Sequence, residues 1–193
     1  MINSLDKIEE EVIGLLQDLD ESLTYHSIAH TRYVVEVSMK IADYYKLDEH
    51  DKGLLKIAAL FHDSGFLLAR ENHEEASCKL AEKHLKDHNL SDSDLECIKG
   101  MIMATKVPQR ATSLLQEIIA DADLEYLGTK HFWKVGNLLY KELVNVHPDM
   151  TREQWNRLQL NFLLNHSYHT SYCQRYKEKR RQKHIAELKE LLS

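Results

Sequence analysis

The chain has 193 residues, 29% charged and 43% hydrophobic, an ordinary balance for one domain large enough to bury a substantial core. A formal net charge of −6 argues against general nucleic-acid binding. Three widely spaced cysteines, Cys78, Cys97 and Cys173, make neither a zinc pattern nor a disulfide framework, which points to a reducing, cytoplasmic protein. The opening residues 1–7 lack a basic segment followed by an apolar core, so no signal peptide is expected, and no apolar run approaches membrane-spanning length.

Six glycines and two prolines force few turns, which favours long helices. Apolar residues at helical spacing predict a first helix over residues 4–20. Ser22 and Thr24 offer capping oxygens for a second, from about Tyr25 to Tyr45, whose inner stripe holds His30, Val34, Val37 and Ile41. His26 falls one turn before His30 on that face. A third helix runs from about Glu49 to Asp63, with Gly65 as its stop. After a connection over 64–70, Asn72 and Glu75 have the spacing of a capping box for a fourth helix reaching about His88. Ser91 begins a fifth, ending near Thr105 because Pro108 disfavours helix at Val107. A sixth spans roughly 111–127, closed by Gly128. Further helices are expected at about 130–146, 151–170 and 173–192. The expected class is all-α, read as a single domain over 1–193 with no linker or repeat.

Within that frame three places put ligand chemistry on inward faces. His30 lies on the second helix, and His62 with Asp63 ends the third. Asp121 or Asp123 lies near the end of the sixth. His62 shares a face with Leu55, Ala58 and Ala59, so it should be buried. The negative helix end beside it suits a cation. Two imidazoles and two carboxylates suit one divalent ion, Mn, Fe, Ni, Zn or Mg, rather than a thiolate-seeking metal. Asp121 and Asp123 point about 200° apart on one helix, so both are not expected on one ion.

The order of these motifs resembles the HD-domain superfamily of metal-dependent phosphohydrolases. Tyr25-His26-Ser27-Ile28-Ala29-His30 looks like its opening histidine motif, Phe61-His62-Asp63 matches the signature pair, and Ala122-Asp123-Leu124 fits its closing Ala-Asp-Leu segment. The resemblance covers about residues 20–130, leaving additional C-terminal helices over 130–193. It implies a helical bundle in which His30, His62, Asp63 and Asp123 hold the metal. It also implies hydrolysis of a phosphomonoester or phosphodiester, commonly of a nucleotide. Asp121 then has the work of accepting a hydrogen bond from a ligand histidine or a bound water. The family's two-metal members and its iron oxygenases carry two further histidines. Here His73 can be one of them, but Met101–Lys106 has none at the other place, which favours one metal and argues against oxygenase chemistry.

His26 resembles the proton-donating histidine of the Tyr-His-Asn motif in cyclic nucleotide phosphodiesterases, with Ser27 in place of the Asn. His73 and Glu74 are candidates for contact with water, phosphate or a second ion, against a reading as a capped helix start. Lys106 stands where the second histidine is missing and is a candidate phosphate contact; Arg110 is a weaker one. Specificity is assigned to loops 64–72 and 104–112. The basic run Arg175–Lys183 reads as a solvated helix face rather than an RNA or polyphosphate site. Trp133, Trp155 and Phe162 are expected in the core. His166 and His169 are read as surface or packing residues, and no role goes to His50, His84, His88, His131, His147 or His184. The expected partner is a small phosphorylated substrate, with self-association left open. The rival class is an HD scaffold that senses a nucleotide or binds a protein without turnover.

Overall fold

The structure is a computed structural model that describes residues 5–193. Among the described residues there are ten α-helices, three short 3-10 turns and no strand, as the apolar periodicity predicts. None of these helices is long and apolar enough to cross a membrane. The expected first residue of helix one, Ser4, lies outside the described residues.

The helices fall into two compact units. The first comprises the described residues up to Asp20 and His26–Asp123. It contains α1 (Leu5–Leu15), α2 (Ile28–Tyr45), α3 (Glu49–Phe61), α4 (His73–Leu85), α5 (Asp92–Ala104) and α6 (Leu114–Asp123). Helix α3 is central: it packs on α1, α2, α4, α5 and α6. Leu55, Ile57, Ala58 and Ala59 on it are fully buried, and only a helix enclosed on several sides carries apolar residues around so much of its circumference. The second unit comprises Glu21–Tyr25 and Leu124–Ser193, with α7 (Phe132–Val146), α8 (Arg152–Asn165), α9 (Ser171–Tyr176) and α10 (Glu178–Leu191).

Several boundaries differ from the sequence expectation, each for a nameable reason. Helix α2 starts at Ile28, capped by an extended Ser27, not at Tyr25. The expected cap Thr24 instead donates its hydroxyl to the Leu138 carbonyl at 2.7 Å, and the Tyr25 N–H donates to buried Glu142 at 2.9 Å. Helix α4 ends at Leu85, short of His88, whose imidazole lies 3.0 Å from Glu11. Helix α6 ends at Asp123, and a separate 3-10 turn, Glu125–Gly128, follows. The last expected helix is two, α9 and α10.

In the second unit the basic run is partly structural. Lys177 pairs with buried Glu125, and buried Arg181 donates to the Leu163 carbonyl and to Glu178. Trp155 is buried, but Trp133 is 39% exposed, because its indole N–H reaches outward to Glu187 at 3.1 Å. Phe162 is half-buried and stacks on His166.

Candidate metal centre

The centre starts from how α3 ends. A helix leaves its last carbonyls without intrahelical partners. His62, at the C-cap, uses one of them: its Nδ1–H donates to the Ala59 carbonyl at 2.8 Å. That bond fixes the ring and leaves Nε2 as the atom offered to the site. His62 is wholly buried, as its phase on α3 predicts. Asp63 then leaves the helix with φ −106° and ψ 3°, returning its carboxylate beside the His62 ring.

Gly65 does not act as the left-handed helix stop that the sequence suggests, since no glycine here has positive φ. A Cβ on Gly65 would lie 1.9 Å from the His73 carbonyl oxygen and 2.7 Å from the Ser77 nitrogen. Glycine is needed because the first turn of α4 packs directly on this backbone. Ser77 locks the approach: it accepts from the Gly65 N–H at 2.8 Å and donates to the His62 carbonyl at 2.7 Å.

His30 from α2 and Asp123 from the end of α6 complete the arrangement. His30 Nε2 lies 3.0 Å from Asp123 Oδ1, 3.3 Å from His62 Nε2 and 3.4 Å from Asp63 Oδ2. His62 Nε2 lies 3.2 Å from Asp63 Oδ2 and 3.7 Å from Asp123 Oδ1. The ligand atoms of His30, His62 and Asp123 all lie within 4.8 Å of one another, a group that can hold a metal ion. Asp63 stands outside that tightest trio but touches both of its imidazoles.

Two features fit a cation at this place. Asp63 Oδ2 is buried with no aligned hydrogen-bond donor among the described residues, despite two imidazole nitrogens within 3.4 Å. Such an oxygen is costly to bury unless something else satisfies it. The two Nε2 atoms also stand 3.3 Å apart, a spacing at which one ring donates to the other or both turn a lone pair to a shared cation. The electrostatics agree. Burial pushes the His62 pKa down, but the charges of Asp63 and Asp123 reverse this and raise it to about 9. Burial raises Asp63, yet the imidazoles of His62, His26 and His30 hold it well below the usual carboxylate range. The cluster therefore favours positive charge at its middle.

A family model described as the HD domain matches residues 27–125, which takes in all four of these residues. The chain belongs to the HD domain family. The crystal structure of a predicted HD superfamily hydrolase from an uncultured Thermotogales bacterium is similar, with 21% identity, a TM-score of 0.61, and 95% of this chain and 90% of that one covered. A crystal structure of a Lactobacillus plantarum protein is also similar, at 19% identity and a TM-score of 0.72, covering 99% and 97% of the two chains. At these identities the likeness is one of fold. No curated protein matches the sequence.

Around the HD pair the remaining candidates fall in different places. His26 is not on α2, so it does not share a helical face with His30. Its ring nevertheless stands edge-on to that of His30, with centroids 6.3 Å apart. His73 opens α4, with Nε2 3.6 Å from Asp63 Oδ1 and 3.5 Å from the buried Glu74 carboxylate. Asp121 is fully buried and is not in the trio that contains Asp123. The expected capping box does not form: Asn72 has φ 54° and makes no side-chain cap. Its side chain accepts instead from Lys106 at 3.0 Å, and Lys106 also pairs with Glu75 at 2.5 Å. Lys106 is thus tied to the start of α4.

One residue near the HD pair has no counterpart in the sequence reading. Phe66, in the 3-10 turn Ser64–Leu67, stacks on both His26 and His73. In sequence it is only another apolar residue in a connection. Nothing local marks it as the neighbour of two histidines that lie 40 residues before it and seven after.

Proposed function

We propose that this HD protein is a metal-dependent phosphohydrolase acting on a phosphomonoester or phosphodiester, with a nucleotide as the substrate class. The observation that carries the reading is the convergence of His30, His62, Asp63 and Asp123, with nitrogens and oxygens 3.0 to 3.7 Å apart and one buried oxygen unbonded. Those four residues are the proposed ligands of one divalent ion, Mn, Fe, Ni, Zn or Mg by donor chemistry. Such an ion supplies Lewis acidity that acidifies a water and screens phosphate charge.

The protein's own part is positioning and proton handling. In hydrolysis a bond forms from water oxygen to phosphorus, the phosphorus–ester oxygen bond breaks, and the leaving oxygen must gain a proton. His26 is the proposed donor of that proton. His73 is assigned to phosphate or the attacking water, with Glu74 orienting its imidazole. Asp121 is assigned to holding a ligand imidazole or a water from behind. Lys106 donates to Asn72 and Glu75, and its third N–H is the one assigned to a phosphate oxygen. Specificity is assigned to loops 64–72 and 104–112, and neither a nucleic acid nor a membrane is a proposed partner.

Metal analysis of the purified protein, followed by nucleotide and phosphoester panels with each divalent ion, tests the reading. Phosphate release that depends on the ion supports it. Tight nucleotide binding without release replaces it with a sensing module. His62→Ala should lose ion and turnover together; a variant that keeps both would move the site elsewhere.

A further inference from the structure

The two histidines nearest the metal ligands stand outside a helix or at the start of one. His26 precedes the N-cap of α2 in an irregular stretch, and His73 is the first residue of α4. Both are half-buried, and His73 Nδ1 also meets the Arg70 carbonyl at 3.3 Å. One side chain touches both. Phe66 lies 4.1 Å from the His26 ring at an interplanar angle of 26°, and 4.0 Å from the His73 ring at 24°. These are stacked geometries, one of the arrangements that aromatic rings favour.

Phe66 can serve this way because its own backbone is held. Its N–H donates to the Asp63 carbonyl at 3.1 Å, and the preceding Gly65 is fastened to Ser77. The Leu68 and Ala69 N–H groups both return to the Gly65 carbonyl, at 2.8 and 3.0 Å. The ring is therefore carried by the same short turn that carries Asp63. One end of the aromatic group meets the cluster at His30, through His26, and the other at Asp63, through His73.

We propose that Phe66 is a positioning residue for the reaction: it fixes the His26 and His73 imidazoles relative to each other and to the metal ligands. The inference rests on the phosphohydrolase reading for its kinetic consequence, though its geometric content stands apart from it. Phe66 acts through these two rings rather than on a ligand atom. Its effect is on ring orientation, where small misplacements carry large rate penalties.

The test uses Phe66→Leu, which keeps apolar bulk and removes the ring face, and Phe66→Tyr, which keeps the face. On a substrate found by the panel above, Phe66→Leu should lower kcat by about 10-fold to 100-fold with KM and metal content unchanged. Phe66→Tyr should restore most of the rate. In a His73→Gln, His26→Asn background, Phe66→Leu should cost little more. An unchanged kcat, a loss that tracks metal loss, or a tyrosine that fails to rescue would each overturn the proposal. Proton NMR of the wild-type protein adds a readout that needs neither turnover nor a variant. Phe66 ring protons should show Overhauser contacts to both imidazoles, whose protons are shifted upfield by the phenyl current. Absence of those contacts overturns the proposal even if the enzyme is active. A metal-loaded protein that shows them but hydrolyses nothing refutes the hydrolase reading and leaves the geometric assignment in place.

Discussion

Gly65→Ala is the sharpest perturbation this architecture offers. The added methyl would stand 1.9 Å from the His73 carbonyl oxygen, against backbone that cannot rotate away. Ordinary contact needs a retreat of about 1.5 Å by the first turn of α4. That motion also breaks the Gly65–Ser77–His62 hydrogen-bond chain. Overpacking costs about 1–3 kcal/mol, and each buried hydrogen bond lost adds about 1 kcal/mol. The expected destabilisation is therefore about 3–5 kcal/mol, a large part of a normal domain's stability. Gly14→Ala is the control, since nothing lies within 4 Å of its added Cβ and it sits inside α1. It should stabilise by about 0.5–1 kcal/mol. Urea denaturation of the two variants beside wild type reads both effects. Gly65→Ala should also move His73, so the Phe66–His73 ring-current shift should diminish. A Gly65→Ala midpoint equal to that of wild type would refute the close packing of α4 on the HD turn.

Four further outcomes follow from the centre and its surroundings. Because the His62 pKa stands at about 9, a proton competes with any metal below that pH, and affinity should fall about tenfold per pH unit as pH drops from 9; pH-independent affinity in titration calorimetry would refute it. In the chelated protein the same shift lies above the unfolded value of 6.5. Its stability contribution should be complete below about pH 6.5 and vanish as pH rises through about 9, a decline that a urea-midpoint series would show. Asp123→Asn should abolish ion-dependent hydrolysis, whereas Asp121→Asn should slow it by about 10-fold to 100-fold; the reverse ranking in matched kinetics would exchange their roles. Lys106→Ala should raise KM or lower kcat while leaving metal content alone, and unchanged kinetics would leave Lys106 as a partner of Glu75 and nothing more.

What was legible in the sequence is what depends on local periodicity. The apolar spacing along 54–61 specifies a helix, and it places His62 on the buried face because residues three and four apart share a side. By spacing alone, Ser91 with Asp94 and Asn72 with Glu75 are alike as capping boxes. The first forms, and the second does not. The difference is Lys106, more than thirty residues along the chain, whose ammonium competes for both of the second pair's side chains. The helical face that the sequence predicts for His26 does not form, because Thr24 and Tyr25 find partners at Leu138 and Glu142 instead of starting α2. The phase of α6 left Asp121 and Asp123 open, and only the packing of α6 against α2 brings the Asp123 carboxylate to His30. Phe66 and Gly65 had ordinary local readings, an apolar residue and a helix stop. Their surroundings are set by α4 folding back onto the turn they occupy, a long-range approach that no short-range pattern encodes.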